Sequence, residues 1–294
     1  GGAPVGTAVF SLKQGGVIVS EAGVPAATPT RESRVFIDYR TGVPSGSGQL
    51  DIFPGLAIVN RGAATATITF RLRDRTGRVL ATGTGSLPAG AHRAKFIHQL
   101  RDIAPDFDVP IDFPTQTQFG ALDISSTEQL AVLGLRLTTN QRGETLLTST
   151  AVADLTQALP STAVYFPQVA DGGGFTTAIA LMNPSANPQS VTISIFDDAG
   201  TPLNVKPVGG SLGSVFPYSI PANGTLLFQT EGQGAQVQAG WAKVTPSSGG
   251  TLPFGAGVFS YTQGGVLVTE TGIPASAPTQ RARLATGTRV GHRR

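Results

Sequence analysis

The chain's only imidazoles are His92, His98 and His292, and it contains no cysteine. A hydrolytic triad needs a His held between a nucleophile and a carboxylate. Only His98 has an acid at a useful spacing, Asp102, four residues on. No nucleophile-elbow or zinc-protease pattern surrounds the pair, so the spacing predicts a surface contact across one turn. No catalytic residue is assigned, and the chain is expected not to be an enzyme. The missing cysteines remove disulfides, thiolate metal sites and cysteine nucleophiles together.

Four acids, Asp102, Asp106, Asp108 and Asp112, lie close in sequence, and carboxylate oxygens are what Ca²⁺ collects. They lack the glycine turn and closing Glu of a calcium loop. Pro105, Pro110 and Pro114 predict a solvated, extended connection instead, and no metal or cofactor is expected. Asp171-Gly172-Gly173-Gly174 offers backbone to an anion but lacks a strand–loop–helix setting, so it reads as a turn. Trp241 is the sole Trp and shares a strand face with Lys243. Exposed aromatics commonly mark contacts, so packing or an interface is the first expectation, with glycan binding as the other use. The four lysines, Lys13, Lys95, Lys206 and Lys243, would include any lysine–carboxamide crosslink. Lys243 aligns with Asp123 in the repeat described below, and a position that changes sign between copies is expected to face solvent.

These residues need elements to hold them. With 38 Gly and 21 Pro in 294 residues, long helices are excluded by backbone chemistry. Charged residues make up 13%, about half the usual ~25%, and the hydrophobic content of 40% excludes a highly charged disordered chain. No apolar run approaches the roughly 18 residues of a membrane-spanning helix. Of the 21 basic residues, five arginines follow residue 280 with no acid among them. The body is therefore slightly acidic, and the pI of about 9.5 gives no warrant for nucleic-acid binding, which needs a basic folded surface. Thr65–Arg73 and Ser190–Phe196 alternate apolar and polar residues, the period-two pattern of half-buried strands. This pattern predicts Phe70 or Leu72, with Ile193 and Ile195, inward and Thr69, Arg71 and Ser194 outward. One helix is predicted, over His92–Ile103, with Phe96, Leu100 and Ile103 on one face.

Self-comparison sets the organisation. Val9–Thr30 matches Val258–Thr279 at a constant shift of 249, identical at 14 of 22 positions. A weaker shift of 123 pairs Asn60 with Asn183, Thr69 with Thr192, Asp74 with Asp197 and Gly77 with Gly200. The chain is thus expected to be all-β: a lone N-terminal hairpin (1–33), two tandem immunoglobulin-like β-sandwiches (34–159 and 160–280) and a basic tail (281–294). Three hairpins serve two bodies, the layout of one period of an array overlapping itself by one hairpin.

Phe166–Thr177 with Leu181-Met182-Asn183-Pro184, together with Ala94–Ile97, Asn140–Glu144 and Ser20–Pro25, resembles a tandem repeat found in secreted proteins of environmental bacteria. The resemblance implies an extracellular or cell-surface β-repeat setting and no catalytic residue. A hairpin alone in water is marginal at best, so the N-terminal one must find a sheet. Insertion into another copy makes a head-to-tail contact, which generates a helical filament when it does not close, by analogy with donor-strand pili. The expected partners are copies of the chain itself, with Val9, Phe10, Leu12, Val17, Ile18, Val19 and Val24 as the donor surface. The rival expectation is a monomeric adhesive or carbohydrate-binding module of a larger secreted protein.

Overall fold

The alternating segments form strands whose apolar sides meet in two separate cores. The computed structural model describes residues 6–280, and the basic tail lies outside the described residues. The chain opens with the hairpin β1 (Thr7–Gln14) and β2 (Val17–Pro25). Sandwich A follows as β3 (Thr30–Asp38), β4 (Arg40–Ser45), β5 (Gly48–Asn60), β6 (Ala66–Asp74), β7 (Val79–Leu87), β8 (His92–Phe96), β9 (Phe119–Thr139), β10 (Thr145–Thr150) and β11 (Val152–Asp154). Sandwich B contains β12 (Val164–Asp171), β13 (Phe175–Met182), β14 (Gln189–Asp197), β15 (Val215–Ile220), β16 (Thr225–Gln229), β17 (Gln238–Pro246), β18 (Phe254–Gln263) and β19 (Val266–Pro274).

The weak 123-residue repeat becomes one topology used twice. In B the first sheet runs β12-β17-β14-β15 and the second β16-β13-β18-β19. In A the single long strand β9 serves both sheets. Its first part pairs β3 and β6, and its second part pairs β5 and β10. The sequence explains the difference: Ser125-Ser126-Thr127-Glu128-Gln129 contains no breaker. The equivalent stretch of B carries Pro246, Gly249, Gly250 and Pro253, which end one strand before the next begins. The central pairings are immunoglobulin-like, but the end strands have exchanged sheets. An immunoglobulin A strand lies with B, and G lies with F. Here the first strand joins the F-like strand, and β18, or the second part of β9, joins the B-like one.

Phe70, Leu72, Ile193 and Ile195 are fully buried, whereas Arg71 is exposed and Thr69 and Ser194 are half-buried. The period-two reading therefore holds in register, and a slip of one residue would have reversed it. Each sandwich has its own core, one around Phe70, Phe107 and Phe113 and one around Phe166, Ile193 and Phe228. The predicted helix is corrected. His92–Phe96 is strand β8, paired to β5, and only Ile97–Asp102 coils, as a 3₁₀ turn. Leu100 and Ile103 are buried as the helical spacing required, but the edge of β5 captures the first half.

The repeated polar residues are turn locks. Asn60 donates to Ala64 O and Leu87 O and accepts from Gly62 N; Asn183 makes the matching bonds to Asn187 O, Ile220 O and Ser185 N. Asp74 and Asp197 each accept from backbone two and four residues on. Burial alone would raise the Asp74 pKa, but bonds from Thr76 and Arg78 outweigh it and hold the carboxyl below its ordinary 3.8. A folded pKa below the unfolded one contributes stability that is present above the unfolded value and lost as pH falls through the folded one. Denaturant stability is accordingly expected to be level above about pH 5 and to fall below pH 3.8, with a shallower fall for Asp74→Asn. An unchanged slope in that variant would show that Asp74 contributes nothing to acid sensitivity.

Candidate functional site

Among the described residues, the chemical groupings raised by the sequence have the following partners. His98 stacks on Phe96 at 5.8 Å and lies beside Tyr39 and Phe53, while Asp102 pairs with Lys95. Asp106 accepts from Thr84 N, and Asp108 faces Arg101. Among the described residues no three metal-binding side chains come together. Gly172–Gly174 form the tight β12–β13 turn, packed against residues 234–237 and Thr262.

The hairpin is where the internal repeat yields a comparison within one molecule. β1–β2 and β18–β19 share the same register, bulge included: Thr7↔Pro25 to Gln14↔Val17 in one, Ala256↔Pro274 to Gln263↔Val266 in the other. Their surroundings differ. β18 is paired along its outer side to β13, and β1 has no such neighbour among the described residues. Glu270 is buried and bound by Arg136 and Thr138 of sandwich A, whereas its twin Glu21 is exposed and held only by Ser11. The tip glycine Gly265 touches Gly46 and accepts from Ser47 N, but a side-chain carbon added at Gly16 would meet nothing within 4 Å.

The donor residues named from sequence are correspondingly open. Val9 is 67% exposed, Val17 65%, Phe10 50% and Ile18 38%, while Leu12, Val19 and Val24 are half-buried. The hairpin rests on its own sandwich A through β2. Ser20 bonds Leu147 N and O, and Ser149 donates to Gly23 O. The same step recurs one hairpin further on, where β10 stands on β19 through Thr148 and Gly272.

The second feature is the junction of A with B. The outer face of A's first sheet lies on the outer face of B's second. Phe36 and Ala121 pack on Ala180 and Met182. Arg34, 1% exposed, makes a bidentate pair with Asp123 and donates to Asn183 O at 2.5 Å; Arg73 takes the second Asp123 oxygen at 2.8 Å. Asp123 is therefore at an interface, correcting the expectation that the sign-changing position faces solvent. Each unit's chemistry suits what covers it, which one unit's sequence cannot show. Alongside, a cavity of about 320 Å³ is lined by Asp38, Arg40, Arg136 and Glu270. These groups satisfy one another: Arg136 bridges Asp38 and Glu270, and Arg40 takes Asp38. Burial would lower the Arg136 pKa, but Glu270 and Asp38 more than offset it and raise it, so the guanidinium stays charged. The arrangement binds one sandwich to the other.

Trp241 faces outward with Lys243, as its alternation required, on the first sheet of B. It stacks on Phe196 at 4.4 Å and 19°, with Tyr165 at 5.9 Å. Neighbouring strands are about 4.8 Å apart, so two rings stacked at that spacing stand on edge from the sheet. They spend their faces on each other, which argues against a flat platform for a sugar ring.

No family model matches the chain, and no curated protein sequence does. Among solved structures, the C-terminal domain of the antigen I/II polypeptide BspA of Streptococcus agalactiae aligns over 92% of this chain and 99% of its own, at 9% identity and a TM-score of 0.21. The C-terminal domain of the antigen I/II-family protein AspA of Streptococcus pyogenes aligns over 85% and 99%, at 6% and 0.20. Likeness of that degree carries no argument about this chain, and the β-sandwich assignment rests on its own strand pairing.

Proposed function

We propose that the chain is an extracellular structural subunit, without enzymatic activity, that polymerises head to tail into a fibre or surface array by donating β1–β2 to a neighbouring copy. The carrying observation is the twin hairpin. β1–β2 keeps much of the sequence and all of the register of β18–β19 but lacks three of its neighbours among the described residues: the β13 edge, the Arg136 partner and the Ser47 contact at the tip. Donation is read as occupation of that place in another copy, Glu21 replacing Glu270 and β1 replacing β18 along β13. The extracellular setting follows the repeat resemblance.

Burying the exposed Val9, Phe10, Val17 and Ile18 at roughly 1.5–3 kcal/mol each gives a gross gain, reduced by association and ordering costs and by exposure of the displaced β18–β19, whose Leu267 and Ile273 are buried. Removal of residues 1–25 is expected to give folded monomers by sedimentation velocity, where the full chain gives polymers visible by negative stain. Filaments formed by the truncated chain would overturn donation. Turnover in glycosidase, esterase or protease screens that His98→Ala abolishes would overturn the non-enzymatic reading.

A further inference from the structure

The A–B junction uses two sheet faces, and each sandwich has both. One presenting face and one receiving face are therefore left over. B's own presenting face, the outer side of β12-β17-β14, is the half-exposed set Tyr165, Trp241, Phe196 and Lys243. A's own receiving face, the outer side of β5 and the second part of β9, is half-exposed Phe53, Ala57, Leu133, Leu135 and Leu137. We infer that these two faces bind each other between copies, with the aromatic face of B in one copy seated on the leucine face of A in the next as A is seated on B within the chain. The inference rests on the head-to-tail reading above, and in the full chain β1–β2 must leave β10 or stand in for β18–β19 of the arriving sandwich, because β2 holds on β10 the place that β10 holds on β19.

The ladder registers give the correspondence. At the internal junction the presenting residues are Arg34 opposite Asp123 and Arg73 opposite Ala121; in B the same positions hold Tyr165 opposite Lys243 and Phe196 opposite Trp241. On the receiving side Thr176, Ser260 and Glu270 sit in one row of B; the same row of A holds Phe53, Leu137 and Leu147. Inside the chain the row Thr176, Ser260 and Glu270 shares its cavity with Asp38, Arg40 and Arg136, and Arg34 reaches Asn183 and Asn223; the unused faces are aromatic in B and leucine-rich in A. The internal junction joins one presenting and one receiving face, so the same pair left over on two surfaces of one molecule points to a second copy as the occupant.

The internal junction also specifies the contacts. Ala121 packs on Ala180 and Met182, so Trp241 is placed on Ala57 and Val59 of the second copy. Arg34 donates to Asn183 O, so the Tyr165 hydroxyl is placed beside Asn60 O. The two faces are different surfaces, so the contact is heterologous and grows into a filament where the rotation per copy does not close a ring. The hairpin β1–β2, standing on β10 as β10 stands on β19, marks the side from which the preceding copy's sandwich B arrives.

The test uses a head variant, Trp241→Ser with Phe196→Ser, and a tail variant, Leu135→Lys, each in the full chain. Each alone is expected to self-associate about a hundredfold or more weakly than the unmodified chain, the first by loss of central aromatic anchors and the second by placing an unpaired charge in an apolar contact. Mixed one to one, they retain one good head and one good tail and are expected to form dimers and nothing larger by sedimentation velocity. A variant that polymerises normally, or a mixture that stays monomeric, overturns the inference. If both face variants polymerise while the chain lacking residues 1–25 does not, donation stands and this interface falls. If the mixture gives dimers and the truncated chain still gives filaments, this interface stands and donation falls. Normal polymerisation by the head variant, with loss of binding to a soluble glucan, would reassign the aromatic face to sugar.

Discussion

Asp123→Ala is expected to destabilise the protein by about 3–5 kcal/mol, the range for removing one partner of a buried ion pair. Asp123 lies between two guanidiniums, Arg34 and Arg73, whose side chains are 2% and 14% exposed. Without it two positive charges face each other under the cover of sandwich B. Arg34 keeps only Asn183 O at 2.5 Å and a longer contact to Asn223, which satisfy hydrogen bonds but not charge. The loss should concentrate at the junction, because Arg34 and Asp123 sit on the outer face of A, away from either core. Equilibrium unfolding in urea is therefore expected to change from one transition to two, with A and B melting separately. The double variant Asp123→Leu with Arg34→Met should recover part of the loss, since replacing a buried pair with apolar groups is often neutral or better. A cost for Asp123→Ala within about 0.5 kcal/mol, the ordinary range for surface substitutions, would show that the pair does not hold the sandwiches together.

Whatever repeats or alternates along the chain is legible in its sequence. Phe70, Leu72, Ile193 and Ile195 follow from period two alone, and the identity of β1–β2 with β18–β19 follows from a constant shift. Two kinds of information are out of reach. Which face of a sheet is covered depends on a neighbour far away in the chain, so Asp123 reads as a solvated charge until Asn183 and Asn223 are placed above its partner Arg34. Local competition is the other. The spacing of Phe96, Leu100 and Ile103 suits a helix, but β5 offers His92–Phe96 an edge to pair with, and those ladder bonds outweigh one helical turn whose nucleation is unfavourable. The exchange of end strands between sheets is likewise a matter of pairing, and strand order has no local signature.

Gly272→Val and Gly23→Val are expected to have opposite consequences although the two glycines are twins in sequence. A side-chain carbon at Gly272 would fall 2.1 Å from Ser149 O. That atom is backbone in β10, so the strand itself must move, and the Gly272 N–H bond to Thr148 Oγ1 at 2.9 Å moves with it. Overpacking of this kind costs about 1–3 kcal/mol, so Gly272→Val should lower the urea midpoint and loosen B from A. At Gly23 an added carbon meets nothing within 4 Å, the residue is exposed, and valine suits a strand. In the isolated molecule Gly23→Val should therefore be neutral, within about 0.5 kcal/mol. Nothing inside the chain needs a glycine there; the place that Gly272 occupies does. If β1–β2 enters that place in another copy, valine at 23 meets the recipient's Ser149 carbonyl as valine at 272 would. Gly23→Val should then fold with an unchanged urea midpoint, bury its hairpin no further and stay monomeric at concentrations where the unmodified chain forms filaments. Filaments of normal length from Gly23→Val would mean that the donated hairpin does not take the Gly272 place, whatever else it contacts.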